Sequence, residues 1–295
     1  MEGQDPESTD PDSPAFRLEA DASLDVTVVV PFYNPGPRVR ETVDGLIKAL
    51  VPSGRSFEII AVSDGATDGS ERALVGAPAE LVRCLRLEHN CGKGAALRAG
   101  FEQGRGRWLA FIDADGDLPP EQIAAFLECA EREQPDILVG SKRHVASRAH
   151  VSVVRRLYSV LWQYVVCVPF HLNVRDTQTG LKAARREVLQ RCLPRMVETS
   201  FDFDLELLLV ARQLGYRQVV EAPVQIVERT SSTVSAVTGL GMLVGAFRIY
   251  LRAGLGRAYG EPARRRWSPR APDACPMVDI DLASGHPTVG SSAAS

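Results

Sequence analysis

The sequence predicts an α/β fold in which a mainly parallel central sheet carries helices on both faces. Three observations predict it. Apolar runs of strand length alternate with segments of helical period from about residue 26 onward. The runs are continuously apolar, as strands buried on both faces are. Polar and glycine-rich residues cluster just after the runs, at the carboxyl ends where such sheets bind ligands. With 295 residues, 45% of them hydrophobic, the chain has material for one large domain or two small ones.

Val26 to Val30, closed by Pro31, reads as the first strand, and Val39, Val43, Leu46, Ile47 and Leu50 fall at helical spacing behind it. Phe57 to Val62 is a second strand before Asp64-Gly65 and a short helix from Asp68. Leu81 to Leu87 is a third, followed by a glycine-rich turn and a helix near Ala95 to Phe101, and Trp108 to Ile112 is a fourth, ending in Asp113. The second half is less regular. Pro119-Pro120 opens a helix, Ile137 to Gly140 is a strand, Val151 to Pro169 is a long apolar helix interrupted by basic residues, a helix spans about Asp204 to Leu214, and Val224 to Val227 is a strand. No internal repeat is present.

Residues 1–22, rich in Asp, Glu, Pro and Ser, are expected to be a disordered acidic tail, as is the Pro-, Ala-, Gly- and Ser-rich stretch 259–295. Between them lie a catalytic-type domain over 23–233 and an apolar and basic helical extension over 234–258. The first 25 residues hold eight acids and one arginine, which leaves 33 basic against 29 acidic side chains, net +4, in the rest. Two blocks carry the excess: Lys142 to Arg156, and Arg248 to Arg270 with seven arginines. Without an extreme charge or an aromatic stacking platform they do not describe a nucleic-acid footprint. No apolar run reaches the roughly 18 residues of a membrane span, and the acidic start is unlike a signal peptide, so a cytoplasmic protein is expected. The six cysteines, Cys84, Cys91, Cys129, Cys167, Cys192 and Cys275, form no CxxC pair, which points to reduced thiols and away from a disulfide scaffold or zinc.

Asp113, Asp115 and Asp117 follow the fourth strand at alternating positions, a spacing that in extended chain turns three carboxylates to one side, where they could share one hard cation, Mg²⁺ or Mn²⁺. An Asp-rich turn capping the next helix is the alternative. A calcium loop is excluded, since Leu118 and Ala124 stand where that motif needs Gly and Glu. At the second strand end, Asp64 can accept hydrogen bonds from a base or ribose while Asp68 caps the following helix. Cys91-Gly92-Lys93-Gly94-Ala95 places glycines and a lysine at a helix start, which suits phosphate, although a glycine turn with a solvated lysine reads equally well.

Taken together, Val30-Pro31-Phe32-Tyr33-Asn34, Ser63-Asp64-Gly65-Ala66-Thr67-Asp68, Gly92-Lys93-Gly94-Ala95-Ala96-Leu97-Arg98-Ala99-Gly100 and Asp113-Ala114-Asp115 resemble, in order, the motifs of glycosyltransferase family 2, with its Rossmann-like GT-A fold. Gly140-Ser141-Lys142-Arg143, Asp176-Thr177-Gln178-Thr179-Gly180-Leu181-Lys182 and Phe203-Asp204-Leu205-Glu206 look like the dolichyl-phosphate glucosyltransferase branch, and Asp115-Gly116-Asp117-Leu118-Pro119-Pro120 is similar to the mannosyltransferase branch. The resemblance covers about residues 24–233. It implies that Pro31, Tyr33, Asn34 and Asp64 line a nucleotide base pocket, that Asp113 touches ribose, that Lys93 lies near the phosphates, and that Asp115 and Asp117 hold the metal. It implies an inverting transfer of a hexose, glucose by preference, from UDP-glucose or GDP-mannose to a polyprenyl or dolichyl phosphate. Pro35 departs from the Glu common after the motif Asn in the lipid-phosphate branch.

A lipid phosphate is already anionic near neutral pH and needs no strong base, whereas a hydroxyl acceptor does, and Asp204 or Glu206 could supply it unless they only stabilise the start of their helix. Ser141, Lys142, Arg143, Arg229 and Ser232 occupy positions where the relatives bind acceptor phosphate. The segments 151–169 and 234–247, apolar and flanked by arginine, suit a peripheral site on the inner face of the cell membrane or contact with a membrane-protein partner. Rival readings are transfer to a glycan or small-molecule hydroxyl, nucleotidyl transfer, and a noncatalytic nucleotide-sugar sensor.

Overall fold

A computed structural model of the chain describes residues 24–144, 147, 172, 174, 176–200, 202–227, 245–252 and 275–288. The helix expected over 151–169, Arg229 and Ser232 lie outside the described residues, as do most of the two tails.

The elements are β1 (Leu24–Phe32), α1 (Arg38–Leu50), β2 (Phe57–Ser63), β3 (Val82–Leu87), α2 (Lys93–Gln103), β4 (Gly106–Ile112), α3 (Ile123–Glu133), β5 (Ile137–Ser141), β6 (Leu181–Arg185), α4 (Arg186–Cys192), α5 (Phe203–Gln213), β7 (Val219–Pro223), α6 (residues 245–252) and β8 (Met277–Ile280). All eight strands form one sheet in the order β7-β5-β6-β4-β1-β2-β3-β8. β1 pairs in parallel with β2 on one side and β4 on the other, and β3 continues in parallel beyond β2. β6 runs antiparallel between β4 and β5, and β8 antiparallel on β3. The strand order therefore reverses between β1 and β4, and a crevice opens at their carboxyl ends.

Side-chain alternation divides β1 between two cores. Val26, Val28 and Val30 pack with α1 and α3, while Val29 faces α2, α4 and α5. In α1 the buried residues are Val39, Thr42, Val43, Leu46 and Leu50, so the helical spacing read in the sequence is the packed face.

The structure departs from the sequence reading at several elements. The short helix after Asp68 is a 3₁₀ turn, Ser70–Leu74. The strand expected over Val224 to Val227 lies earlier in the chain, as Val219–Pro223, because that is the stretch paired along β5, and residues 224–227 fall beyond it. Residues 275–288, inside the stretch expected to be disordered, supply β8, whose backbone covers the otherwise open edge of β3. Cys91 and Cys275 are joined by a disulfide, against the expectation of thiols; Cys84, Cys129 and Cys192 are free. Neither partner stands in a recognisable spacing, since 184 residues separate them.

Candidate active site

The crevice is built from strand ends. At the end of β1, Pro31 is buried in the sheet, and Tyr33 and Asn34 are exposed beyond it. Asn34 adopts φ 53° and turns its amide onto the loop after β2, accepting from Thr67 N at 2.7 Å and donating to Thr67 Oγ1 at 3.2 Å. Asp68 ties the same two loops: it accepts from Gly36 N at 3.0 Å and Ser70 N at 2.9 Å, the structural role expected of it.

Asp64, at the end of β2, is buried, and its carboxylate accepts from Cys91 N at 2.7 Å and Gly92 N at 2.9 Å. Burial raises its pKa, and those two backbone donors oppose the shift. Asp64 thus binds the β2 loop to the β3 loop.

The start of α2 is not an open phosphate cradle. Thr199 O accepts from Ala95 N at 3.1 Å, and a Cβ on Gly92 would lie 2.4 Å from that same oxygen. Gly92 also has φ +97°, so the glycines admit the backbone of Thr199 and Ser200 against the helix end. Lys93 instead reaches the crevice through its side chain. Its Nζ lies 2.7 Å from Asp113 Oδ1 and 3.9 Å from Asp204 Oδ2, over the Phe111 ring. Burial alone would lower the Lys93 pKa, but Asp113 and Asp204 outweigh it and hold it above the usual lysine value.

Asp113 caps β4 by donating its N–H to Gly180 O at 3.0 Å, and its carboxylate occupies the space a Cβ on Gly180 would fill, 1.9 Å from Oδ2. Asp115 accepts from Asp117 N at 2.9 Å in the following turn. The three carboxylates do not all gather within 4.8 Å of one another, because Asp113 is turned to Lys93. Asp115 is exposed and Asp117 half-buried in the same turn. Although Asp115 is exposed as a residue, its carboxyl sits low enough in the cleft that loss of hydration raises its pKa, and Asp113 and Asp117 add to the shift. Hard oxygen donors with an excess of negative charge fit Mg²⁺ or Mn²⁺.

Asp204 stands in the first turn of α5, buried under Lys93 and facing Lys182 as well, 3.2 Å from its Nζ. Glu206 is wholly buried and accepts from Val197 N at 2.9 Å and Glu198 N at 2.7 Å, which makes it an anchor for that loop. At the end of β5, Ser141 is fully buried and its carbonyl accepts from Ser147 Oγ at 2.6 Å, whereas Lys142 and Arg143 are half-buried. The Lys142 N–H donates to Asp176 at 3.1 Å. Sequence reasoning singled out the segment carrying Lys182 without giving the lysine a role; the signal was a lysine flanked by apolar residues in a strand-length run.

The glycosyl transferase family 2 model matches residues 27–193. Dolichyl-phosphate beta-glucosyltransferase of Drosophila melanogaster is 31% identical over 218 residues, covering 67% of this chain and 65% of its own. The Dictyostelium discoideum protein of the same name is 28% identical, covering 64% and 63%. Dodecaprenyl-phosphate galacturonate synthase of Rhizobium johnstonii is 29% identical, covering 57% and 50%. The chain thus spans between half and two thirds of the length of these relatives. Among solved structures, mannosyl-3-phosphoglycerate synthase of Rubrobacter xylanophilus superposes with a TM-score of 0.61 at 19% identity, covering 87% of this chain and 81% of the other. Glucosyl-3-phosphoglycerate synthase of Mycobacterium tuberculosis, in complex with Mn²⁺, UDP and glucosyl-3-phosphoglycerate, superposes at 0.55 with 21% identity, covering 89% and 88%. At these identities the likeness carries the fold, and it is the GT-A arrangement.

Proposed function

Because the chain belongs to glycosyl transferase family 2, we propose that it is an inverting hexosyltransferase that moves a hexose, glucose by preference, from a nucleotide sugar to a polyprenyl phosphate. The observation that carries this reading is the meeting of Lys93 and Asp113 at 2.7 Å beside Asp115, in the crevice between β1 and β4. The names of the relatives support a lipid-phosphate acceptor.

In this reading the exposed Tyr33 ring offers a face to the nucleotide base, with Pro31 and Asn34 shaping the loop beside it and Asp64 fixing the far wall. Asp113 takes the ribose. Asp115 and Asp117 hold Mg²⁺ or Mn²⁺, which when bound supplies Lewis-acid neutralisation of the leaving diphosphate. Lys93, kept charged by two acids, adds positive charge on the same side. The acceptor phosphate brings its own negative oxygen, so no side chain has to remove a proton, and Asp204 serves as a counter-charge to Lys93 and Lys182.

Lys142 and Arg143 approach the acceptor from the end of β5. Val227 donates its N–H to Asp117 O at 3.0 Å, which ties the chain after β7 to the Asp115–Asp117 turn, and Arg229 and Ser232 are assigned as further acceptor-phosphate ligands. Among the described residues no helix is long and apolar enough to cross a membrane. α6 buries Ala246 and Ile249 and exposes Phe247 (60%), Tyr250 (48%) and Leu251 (49%) beside Arg248, a composition suited to the interface of an anionic leaflet. The proposed acceptor and the composition of this helix support a peripheral position on the cytoplasmic face of a membrane.

The test is transfer by the purified protein from radiolabelled UDP-glucose, UDP-galactose and GDP-mannose to undecaprenyl phosphate. Label should enter the organic phase from one donor, chelator should stop it, and Asp115→Ala should lower the rate at least about a hundred-fold. Water-soluble product alone, or Asp115→Ala within a few-fold of wild type, would count against the proposal.

A further inference from the structure

Lys182 is the second residue of β6, opposite Phe111 of β4 and Val139 of β5, and is 2% exposed. An ammonium in that position loses nearly all its hydration, and an apolar side chain of similar volume would fill the space without that cost. Holding the sheet together therefore does not account for a lysine. Its Nζ donates to Thr179 O at 2.7 Å, faces Asp204 Oδ1 at 3.2 Å, and sits 5.3 Å from the centre of the Phe111 ring. Asp176 attracts it more weakly and is itself occupied by Thr179 Oγ1 at 2.6 Å and the Lys142 N–H at 3.1 Å.

The same ring carries Lys93 at 5.1 Å, and the other oxygen of Asp204 lies 3.9 Å from Lys93 Nζ. Four charges thus alternate from the core to the crevice: Lys182, Asp204, Lys93, Asp113. Lys93 has a choice of two acids, Asp113 at the crevice and Asp204 beneath it. We infer that Lys182 is a positioning residue: by neutralising Asp204 from the core side it leaves Lys93 on Asp113, in the place where the nucleotide sugar is bound. Without Lys182, Asp204 would face the protein interior with Lys93 as its nearest cation, and attraction in that poorly hydrated setting would draw Lys93 inward, away from Asp113.

This inference rests on the nucleotide-sugar reading of the crevice. The test is calorimetric binding of UDP and of GDP with Mn²⁺, beside thermal melting, for wild type, Lys182→Met and the double variant Lys182→Met/Asp204→Asn. Lys182→Met should weaken the bound nucleotide about ten-fold or more, the loss of one charge-assisted contact. The double variant should return to within about three-fold of wild type, because the acid that competes for Lys93 is gone. A purely structural lysine would lower the melting temperature of Lys182→Met and leave nucleotide affinity unchanged, which overturns the inference, as does a double variant no better than the single. If Lys182→Met does not fold, Lys182→Gln, which keeps a donor for Thr179 O, carries the same comparison. Failure of wild type to bind either nucleotide would instead overturn the reading of the crevice, and the inference with it.

Discussion

Asp202 precedes α5 with a carboxyl that is buried, finds no hydrogen-bond partner for Oδ1 among the described residues and packs against Gly245 of α6, where a Cβ would stand 1.7 Å from Oδ2. Burial lifts its pKa from 3.8 to about 7, with Glu198 and Glu206 adding to the shift and Arg248 opposing it. The folded pKa lies above the unfolded one, so the linked stability is fully present below about 4 and is lost as pH rises through about 7. Wild type should therefore lose up to about 1.4 kcal/mol per pH unit across that window relative to Asp202→Asn. Melting temperatures of the two proteins from pH 5 to pH 8 check this; parallel profiles would refute it. Residues of this kind were not legible in the sequence. Asp64, Asp113 and Asp115 announced themselves by following apolar runs, but that Asp64 would spend its oxygens on the amides of Cys91 and Gly92, or that Lys93 would choose Asp113, depends on loops brought together by the sheet.

Elements that bury a periodic face were readable, and the one that closes the edge was not. β1 to β4 and α1 declare themselves because continuous apolar strands and a 3.6-residue stripe have no other stable use. β8 has four residues, mostly half-exposed, in a Pro- and Ser-rich stretch, so its pairing with β3 comes from an open edge elsewhere in the chain. The disulfide to Cys91 fastens this segment to the loop that leads into Lys93 at the start of α2, and Glu88 N donates to Pro276 O at 3.0 Å beside it. Closing a loop of 184 residues restricts the unfolded chain strongly, so Cys275→Ser or full reduction should cost about 2–4 kcal/mol. It should also speed hydrogen exchange in Cys84 to Leu87, the residues β8 covers. Unchanged melting and unchanged exchange would show that the link contributes nothing to holding β8.

At the scale of the whole molecule, one sheet serves two ends. Its reversal between β1 and β4 gathers Tyr33, Asp64, Lys93, Asp113 and Asp115 from loops far apart in sequence, and the same sheet aligns β5 so that Lys142 and Arg143 approach from the opposite flank. In the proposed function the nucleotide sugar and the acceptor phosphate would meet from these two sides, as a single in-line displacement needs. The measurement that tests this most directly is combined proton and phosphorus NMR of the purified lipid product made from UDP-glucose, whose hexose is α-linked. A β-anomeric proton coupled to the phosphorus of a lipid monophosphate is expected; an α-anomer, or an anomeric carbon with no coupling to phosphorus, would rule out inverting transfer to a lipid phosphate.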